Sequence, residues 1–592
     1  MVSLLRSSGI ASLLTTPKRG GSAHVATIKT KGKGGKLYTS HLLRRSYREG
    51  GKVRHENLGN LSHLPPHVIE AVRAMLAGKM LVDLDDAFEI ESSLGHGHVA
   101  AVLGVLRALD LERLISRERC RERDLVVAMI CQLLIKPASK LSCTRRFSQS
   151  TLSEELALGD VSEPELLSAM DWLAARQERV ERALAARHLA DGGFVLCDLS
   201  SSCFEGRRCP LAALGRNRDG KKGKLQVNWG LICSPEGRPV SVQVHPGNTA
   251  DPGTLPGVLE TVRERLGIER AIFVGDRAMI TQAHAQKLKD LGAGLVSALN
   301  AVQIRTLIGS GDLQLSLFDE TNLAEIASED FPGERLIVCR NPHLAAERAR
   351  RREELLAGTE AELGEVEGML DSPRGRLKGA DAGKIGERVG RVVNEYRVAK
   401  HFELTITDGS FSCERKREQI ETEAALDGIC VLRSTCPPEQ LSSRAVVRVY
   451  RQLKMAERAY RTIETSLDVR PIRHHLEQRV RCHFFLFLLA YYVCFELQAR
   501  LAPMIFTDDT PLAPADPVAP ATRSPAAKAE TASHRTTDGL PAYSLTDLIE
   551  ELSTLTRNQL RIGESEHTFT RLTKPNAIQA KALQLLDIKL GK

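Results

Sequence analysis

The sequence has 592 residues and 13 cysteines, but no C-x-x-C pair. Cys197, Cys203 and Cys209 have no histidine at metal-site spacing. This argues against structural zinc and against a secreted disulfide framework, and a reducing cytoplasm is the simplest home. Long hydrophobic runs are also lacking. The longest, FFLFLLAYYVCF (484–495), has 12 residues, fewer than the roughly 20 that span a bilayer. It suits a buried core helix, so no membrane role is expected. Near the N-terminus the apolar stretches are short and divided by Arg6, so no signal peptide is read there. The G-x-x-x-x-G-K-[ST] phosphate loop and the G-x-S-x-G elbow are both missing, which argues against a Walker-type nucleotide site and a serine hydrolase. Acid is scarce at the start of the chain. Residues 1–60 carry 12 Lys/Arg against 2 Asp/Glu, so the net charge of +8 lies there and the rest is close to neutral. A basic arm on a balanced body suggests an anionic partner, most often nucleic acid; a solvated tail is the alternative.

Residues 24–58 read as a small β unit turning at Glu49-Gly50-Gly51. Residues 66–190 read as helices throughout, with apolar residues three and four apart in HVAAVLGVLRAL (98–109), RDLVVAMICQLLI (123–135) and EPELLSAMDWLAAR (163–176). No spacing in them marks a helix-turn-helix. From 193 the texture changes. Strands at GGFVLCDLS, LQVNWGLICS (225–234) and RPVSVQVHP (238–246) precede a helix over 251–267. A strand RAIFVGD (270–276), a helix (280–292) and a strand AGLVSAL (293–299) follow. The order β-β-β-α-β-α-β predicts a mixed sheet with helices packed on it. Residues 301–445 break the pattern with short strands and a highly charged helical stretch, and read as an insertion. Two long helices follow.

Asp198 lies on the first of these strands, after the apolar run Phe194 to Cys197. A lone buried charge is costly, so either backbone donors satisfy it or it has a metal or catalytic task. Asp276 ends the fourth strand. In a ribonuclease-H-like sheet these two strands are neighbours, and two close carboxylates need a cation between them. Mg²⁺ takes hard oxygen ligands and suits phosphoryl transfer. The helix at 450–471 can add Glu457. Its apolar stripe is Leu453, Ala456, Tyr460, Ile463 and Leu467; a second stripe holds Tyr450, Lys454, Glu457, Arg461 and Glu464. An ordinary salt-bridge ladder is the alternative for the second stripe.

The blocks CDLSSSCFEG, HPGNTADPGTL (245–255), FVGDRAMIT (273–281) and YRQLKMAERAYRTIETSLDVRPIRHH (450–475) resemble those of bacterial insertion-sequence DDE transposases, of the insertion-sequence-four superfamily type. SYREGGKVRHENLGNL (46–61) and LIEELSTLTRNQL (548–560) fit the same group. The resemblance implies an α/β ribonuclease-H-like catalytic domain with Asp198, Asp276 and Glu457 as the acidic triad and metal ligands. Mg²⁺ is the implied cofactor, with Mn²⁺ as a substitute. The family's helix signature has Tyr, then Arg three on, Glu seven on and Lys fourteen on. Tyr450 and Glu457 match, whereas Leu453 and Glu464 replace the two cations. Lys454 and Arg461 are candidate replacements. Together with Tyr450, Arg277 and the basic loop residues Lys221 and Lys222 they form the expected DNA contacts. Asn248 and Asp251 are read as turn and helix-cap residues. GHGH (95–98) and RHH (473–475) lack nearby ligands.

The implied activity is cutting the element's terminal inverted repeats and joining them to target DNA, by a homodimer on DNA in the nucleoid of the cytoplasm. A nuclease without strand transfer and an inactive or domesticated DNA-binding relative are the alternatives. The expected domains are a basic arm and β unit (1–65), a helical DNA-binding or dimerisation region (66–190), and a ribonuclease-H-like first part (191–300). An insertion (301–445), the catalytic-Glu helix with its core helix (446–506), a linker (507–542) and a helical tail (543–592) complete the chain.

Overall fold

A computed structural model describes residues 22–32, 35–79, 88–206, 208–216, 218, 221, 223–314, 322–372, 375–396, 398–506, 518–519, 522–562 and 566–590. The arm before residue 22, Lys222 and residues 507–517 of the expected linker lie outside the described residues. The chain forms two compact units, one from residues up to 94 with 556–573, the other from 95–555 with 574–591.

In the first unit, β1 (Ala23–Lys31), β2 (Leu37–Glu49) and β3 (Lys52–Asn60) form an antiparallel sheet in that order. Gly50 and Gly51 turn the second hairpin at φ +57° and +80°. Two successive left-handed residues are what a two-residue loop needs to match the twist of its strands. Helix α1 (Pro66–Leu76) closes a small core of Leu43, Leu61, Ile69 and Val72. Strand β4 (Phe88–Gly95) corrects the all-helical reading of 66–190. Phe88 and Ile90 alternate with Glu89 and Glu91, a period of two rather than 3.6.

The second unit opens with helices α2 (Gly97–Ala108), α3 (Arg121–Ile135), α4 (Glu163–Ala174) and α5 (Gln177–His188). The main sheet follows, with β5 (Phe194–Cys203), β6 (Gln226–Cys233), β7 (Pro239–Pro246), β8 (Ile272–Gly275) and β9 (Gly294–Ala298). Helix α6 (Gln282–Asp290) links the last two. The stretch 251–265, expected as one helix, is a 3₁₀ turn, an α turn and a π turn in succession.

The insertion divides. Strands β10 (Leu323–Ile326) and β11 (Arg335–Arg340) belong to the main sheet. Helices α7 (Pro342–Asp371) and α8 (Ala382–Tyr396) pack with the hairpin β12 (Phe402–Thr407) and β13 (Ser410–Arg415) on a separate core that includes Leu363, Val389 and Phe411. Strand β14 (Ile429–Ser434) then returns to the main sheet. Its eight strands run β10-β11-β14-β9-β8-β5-β6-β7. The pairs β5–β8 and β8–β9 are parallel, the others antiparallel.

A buried ion pair fastens the added strands. Arg433 and Glu334 are each 1% exposed by side chain and meet at 2.6 Å. Gln282, at the start of α6, accepts from Arg433 at 2.8 Å and donates to Glu334 at 3.0 Å.

Helix α9 (Ser443–Arg461) crosses the sheet over β5, β8 and β9. Helix α10 (Glu477–Arg500) is long and apolar enough to cross a membrane, but its most apolar window is 83% buried against the rest of the unit. It packs on α3, α4 and β7 as a core helix. The expected linker contains a helix, Pro525–Ser533. Ser524 caps it by accepting from Ala527 N–H, and Pro525 sits where its missing N–H costs nothing. The tail is not wholly helical: α11 (Leu545–Ser553) leads into the hairpin β15 (Thr556–Ile562) and β16 (Thr568–Leu572), then α12 (Ala577–Leu585). TRNQLRI and TFTRL alternate in polarity, which favours strands. The hairpin belongs to the first unit, in a sheet ordered β16-β15-β4.

Candidate active site

The parallel register of β5 and β8 pairs Leu196 with Val274 and Cys197 with Gly275. The next residue on each chain is an acid, Asp198 and Asp276. Both therefore reach the same level of the sheet, Asp198 midway along β5 and Asp276 just past the end of β8. They line one cleft with Asp251, Arg216 and Arg218. Protein surrounds Asp198 densely although its carboxylate still reaches the cleft. Burial pushes its pKa up to about 7, and the charges of Asp276 and Glu457 act in the same direction. The Leu199 N–H, donating to Asp198 Oδ1 at 2.8 Å, and the nearby Arg218 oppose this.

Helix α9 carries the third acid. Its apolar stripe is buried as expected: Leu453, Ala456, Tyr460, Ile463 and Leu467 are all 6% exposed or less. Glu457 lies on the exposed margin, near enough for its charge to act on Asp198 and Tyr450. Tyr460, one turn on, does more than pack. Its hydroxyl donates to the backbone carbonyl of Asp198 and accepts from Leu231 N–H at 2.6 Å. Asp198 and Leu231 are ladder partners across β5 and β6, so the hydroxyl bridges the two strands at the acid. The Trp229 ring packs tilted against that of Tyr460, 4.7 Å between centroids, and its indole N–H donates to Ser202 Oγ at 3.0 Å. Burial holds the Tyr460 pKa well above the ordinary phenol value, which keeps it a donor.

The π turn Thr462–Ser466 follows; such turns recur at functional sites. It turns Glu464 onto β5, where the carboxylate accepts from Ser200 Oγ at 2.6 Å and pairs with Arg470. This accounts for an acid where the signature has a cation: Glu464 ties the end of the helix to the strand two residues beyond Asp198.

Of the remaining expected residues, Lys454, Arg461 and Arg277 are exposed, and Tyr450 is part-buried. Burial, with the Cys430 and Asp276 charges, raises the Tyr450 pKa. Lys221 Nζ reaches Cys203 Sγ at 3.5 Å. Lys222 lies outside the described residues. Asn248 sits in a turn, as expected. Asp251 is not a cap: it pairs with Arg218 in the acidic cleft. A carboxylate and a guanidinium 33 residues apart give no spacing signal for that contact, and neither does the Tyr460 bridge.

Among the described residues, no group of three or more His, Cys, Asp or Glu side chains is drawn together tightly enough to hold a metal ion. Asp198 feels the charges of Asp276 and Glu457, but the three do not close into one ligand shell. Their donor chemistry nevertheless fits a hard divalent cation: carboxylate oxygens only, with Asp198 penalised for its charge by burial.

The comparisons with known proteins bear on this arrangement. The profile of the transposase DDE domain matches residues 203–493. The profile of the IS1634 family transposase N-terminal domain matches residues 25–83. The chain belongs to the insertion-sequence DDE transposases. The first match spans Asp276 and Glu457 and begins five residues after Asp198; the second covers the β1–β3 sheet and α1. No curated protein matches the chain. A DDE domain implies a ribonuclease-H-like fold, and the transposase has the mixed sheet with packed helices of that class. It is a DNA-acting enzyme of the nuclease and transposase kind, from a family that generally uses a divalent metal.

Proposed function

We propose that this transposase cuts the ends of its own mobile element and joins them to target DNA, with Asp198, Asp276 and Glu457 as its acidic triad. The β5–β8 register carries the reading, since it brings two acids to the same level of neighbouring parallel strands under the helix that bears the third. Strands β5 to β9 are then the ribonuclease-H-like core, and β14, β11 and β10 extend it from the insertion.

The three carboxylates would hold Mg²⁺, or Mn²⁺ in its place. When bound, the metal supplies Lewis acidity for a phosphoryl displacement. In the first reaction water attacks a phosphodiester, and the P–O bond to the 3′ oxygen breaks. In the second the freed 3′-hydroxyl attacks target DNA by the same in-line route. The chain's part is positioning. Tyr460 fixes the main chain of Asp198, Glu464 fixes the end of α9 to β5, and Arg218 offsets charge in the cleft. Tyr450, Lys454, Arg461, Arg277, Lys221 and Lys222 contact the DNA backbone. The basic N-terminal unit recognises the terminal inverted repeats, and a homodimer holds the two ends together.

The test is metal-dependent cleavage and joining of DNA carrying the ends that flank the coding region, with wild type beside Asp198→Ala. Joined products that vanish in the variant are expected. Joined products that persist in it would refute the triad, and cut products without joining would leave a nuclease.

A further inference from the structure

A cationic cavity lies beside the loop that bridges to the carboxyl end of β5. It is lined by Lys140, Arg470, Arg473, His474, His475 and Arg479, with Asp468 and Glu163 as acids. Two of the arginines are already neutralised, Arg470 by Glu464 and Arg479 by Asp171 at 2.7 Å. Arg473 is exposed and only 3.9 Å from Glu205. Lys140 differs from all of these. It is 8% exposed, and among the described residues it has no hydrogen-bond or ion-pair partner. The groups acting on its charge are the thiols of Cys143 and Cys482, with no carboxylate among them. Burial lowers its pKa, and the positive groups Lys140, Arg479 and His475, together with burial, lower that of His474 to about 4.

A buried ammonium without a counter-ion is unfavourable for folding, and the cavity gives it access to an anion. Its place bears on which anion. The loop that carries His474 and His475 is stitched to the strand of Asp198: Ile472 N–H donates to Cys203 carbonyl at 3.2 Å, and Glu205 N–H donates to Ile472 carbonyl at 2.9 Å. Cys203 is five residues along β5 from Asp198, roughly 17 Å at strand rise. That is about five nucleotides of a duplex strand.

We propose that the Lys140 cavity binds one phosphodiester of the DNA substrate, a few nucleotides from the bond cut in the acidic cleft. The binding itself rests on the DNA-acting reading above and not on the triad; only its spacing from the cut bond does. Its test is duplex binding in EDTA between 50 and 200 mM salt, using a duplex with one of the flanking element ends. Wild type is compared with Lys140→Met and Lys140→Gln.

One lost phosphate contact lowers the slope of log K against log salt by about 0.9. The expected result is that loss of slope with about tenfold weaker binding, together with a higher unfolding midpoint, because an uncompensated charge has been removed. An unchanged slope in both variants overturns the proposal. So does a lower midpoint for Lys140→Met, which would make the ammonium a structural group with a partner. Inorganic phosphate at constant ionic strength separates the sources: stabilising wild type but not Lys140→Met, with no change in DNA slope, would mean a free-phosphate site and overturn the DNA assignment. Failure of the triad would show elsewhere, as joining that survives Asp198→Ala.

Discussion

Tyr460→Phe isolates one hydroxyl. Phenylalanine keeps the ring that packs against Trp229 and removes only the oxygen bridging Asp198 carbonyl and Leu231 N–H. The two backbone groups face each other across the β5–β6 ladder. A buried donor or acceptor left unsatisfied costs about 1–3 kcal/mol. If both stay open the loss is about 2–6 kcal/mol; if the ladder partners close onto each other it falls to roughly 1 kcal/mol, with the main chain at Asp198 displaced. The two cases separate in paired assays. Denaturant unfolding followed by tryptophan fluorescence reads the stability, because Trp229 reports on this contact. Strand-joining rates read the displacement, where a shift of about 1 Å can cost roughly a hundredfold. A variant within about 0.5 kcal/mol of wild type, with an unchanged joining rate, would refute the idea that the hydroxyl holds the acid in place.

Arg433→Met leaves Glu334 buried without its partner and is expected to cost about 3–5 kcal/mol; Arg433→Met with Glu334→Leu should recover most of it, as a double-mutant unfolding cycle would read. His98 is buried, and burial with the neighbouring His96 holds its pKa down to about 4, against 6.5 when unfolded. The unfolded chain therefore takes up this proton first as pH falls. Stability attributable to neutral His98 is full above about 6.5 and is lost between 6.5 and 4, by about 3 kcal/mol. His98→Leu should flatten that part of a pH–stability profile, and an identical slope in the variant would exclude the assignment.

Much of the central sheet can be read from local pattern. Phe194 to Cys197 and Ile272 to Gly275 are short apolar runs bounded by polar residues, and each ends on its acid. The apolar stripe of α9 was equally plain at helical period. What pattern could not supply was partnership across long separations. Nothing local in RLIVCR or ICVLRS tells a strand of the inserted segment from one added to the main sheet, so β11 and β14 read only as part of an insertion within the α/β domain. Tyr460 counted as a core residue because its ring is one, while its hydroxyl contact is fixed by tertiary packing. Asp251 looked like a turn residue because the turn is local and Arg218 is 33 residues away. Glu464 departs from the signature in sequence, and its partners Ser200 and Arg470 are set by tertiary packing.

Arg561 and Glu89, 472 positions apart, form an ion pair within the sheet that joins β4 to β15. The unit containing the basic hairpins is thus closed by a hairpin synthesised near the end of translation. At roughly 5–20 residues per second, a ribosome takes about half a minute to a minute and a half to connect the two. During that interval the nascent chain carries a sheet with one strand and no neighbours. A copy of the gene broken by a premature stop would make a first unit that never closes.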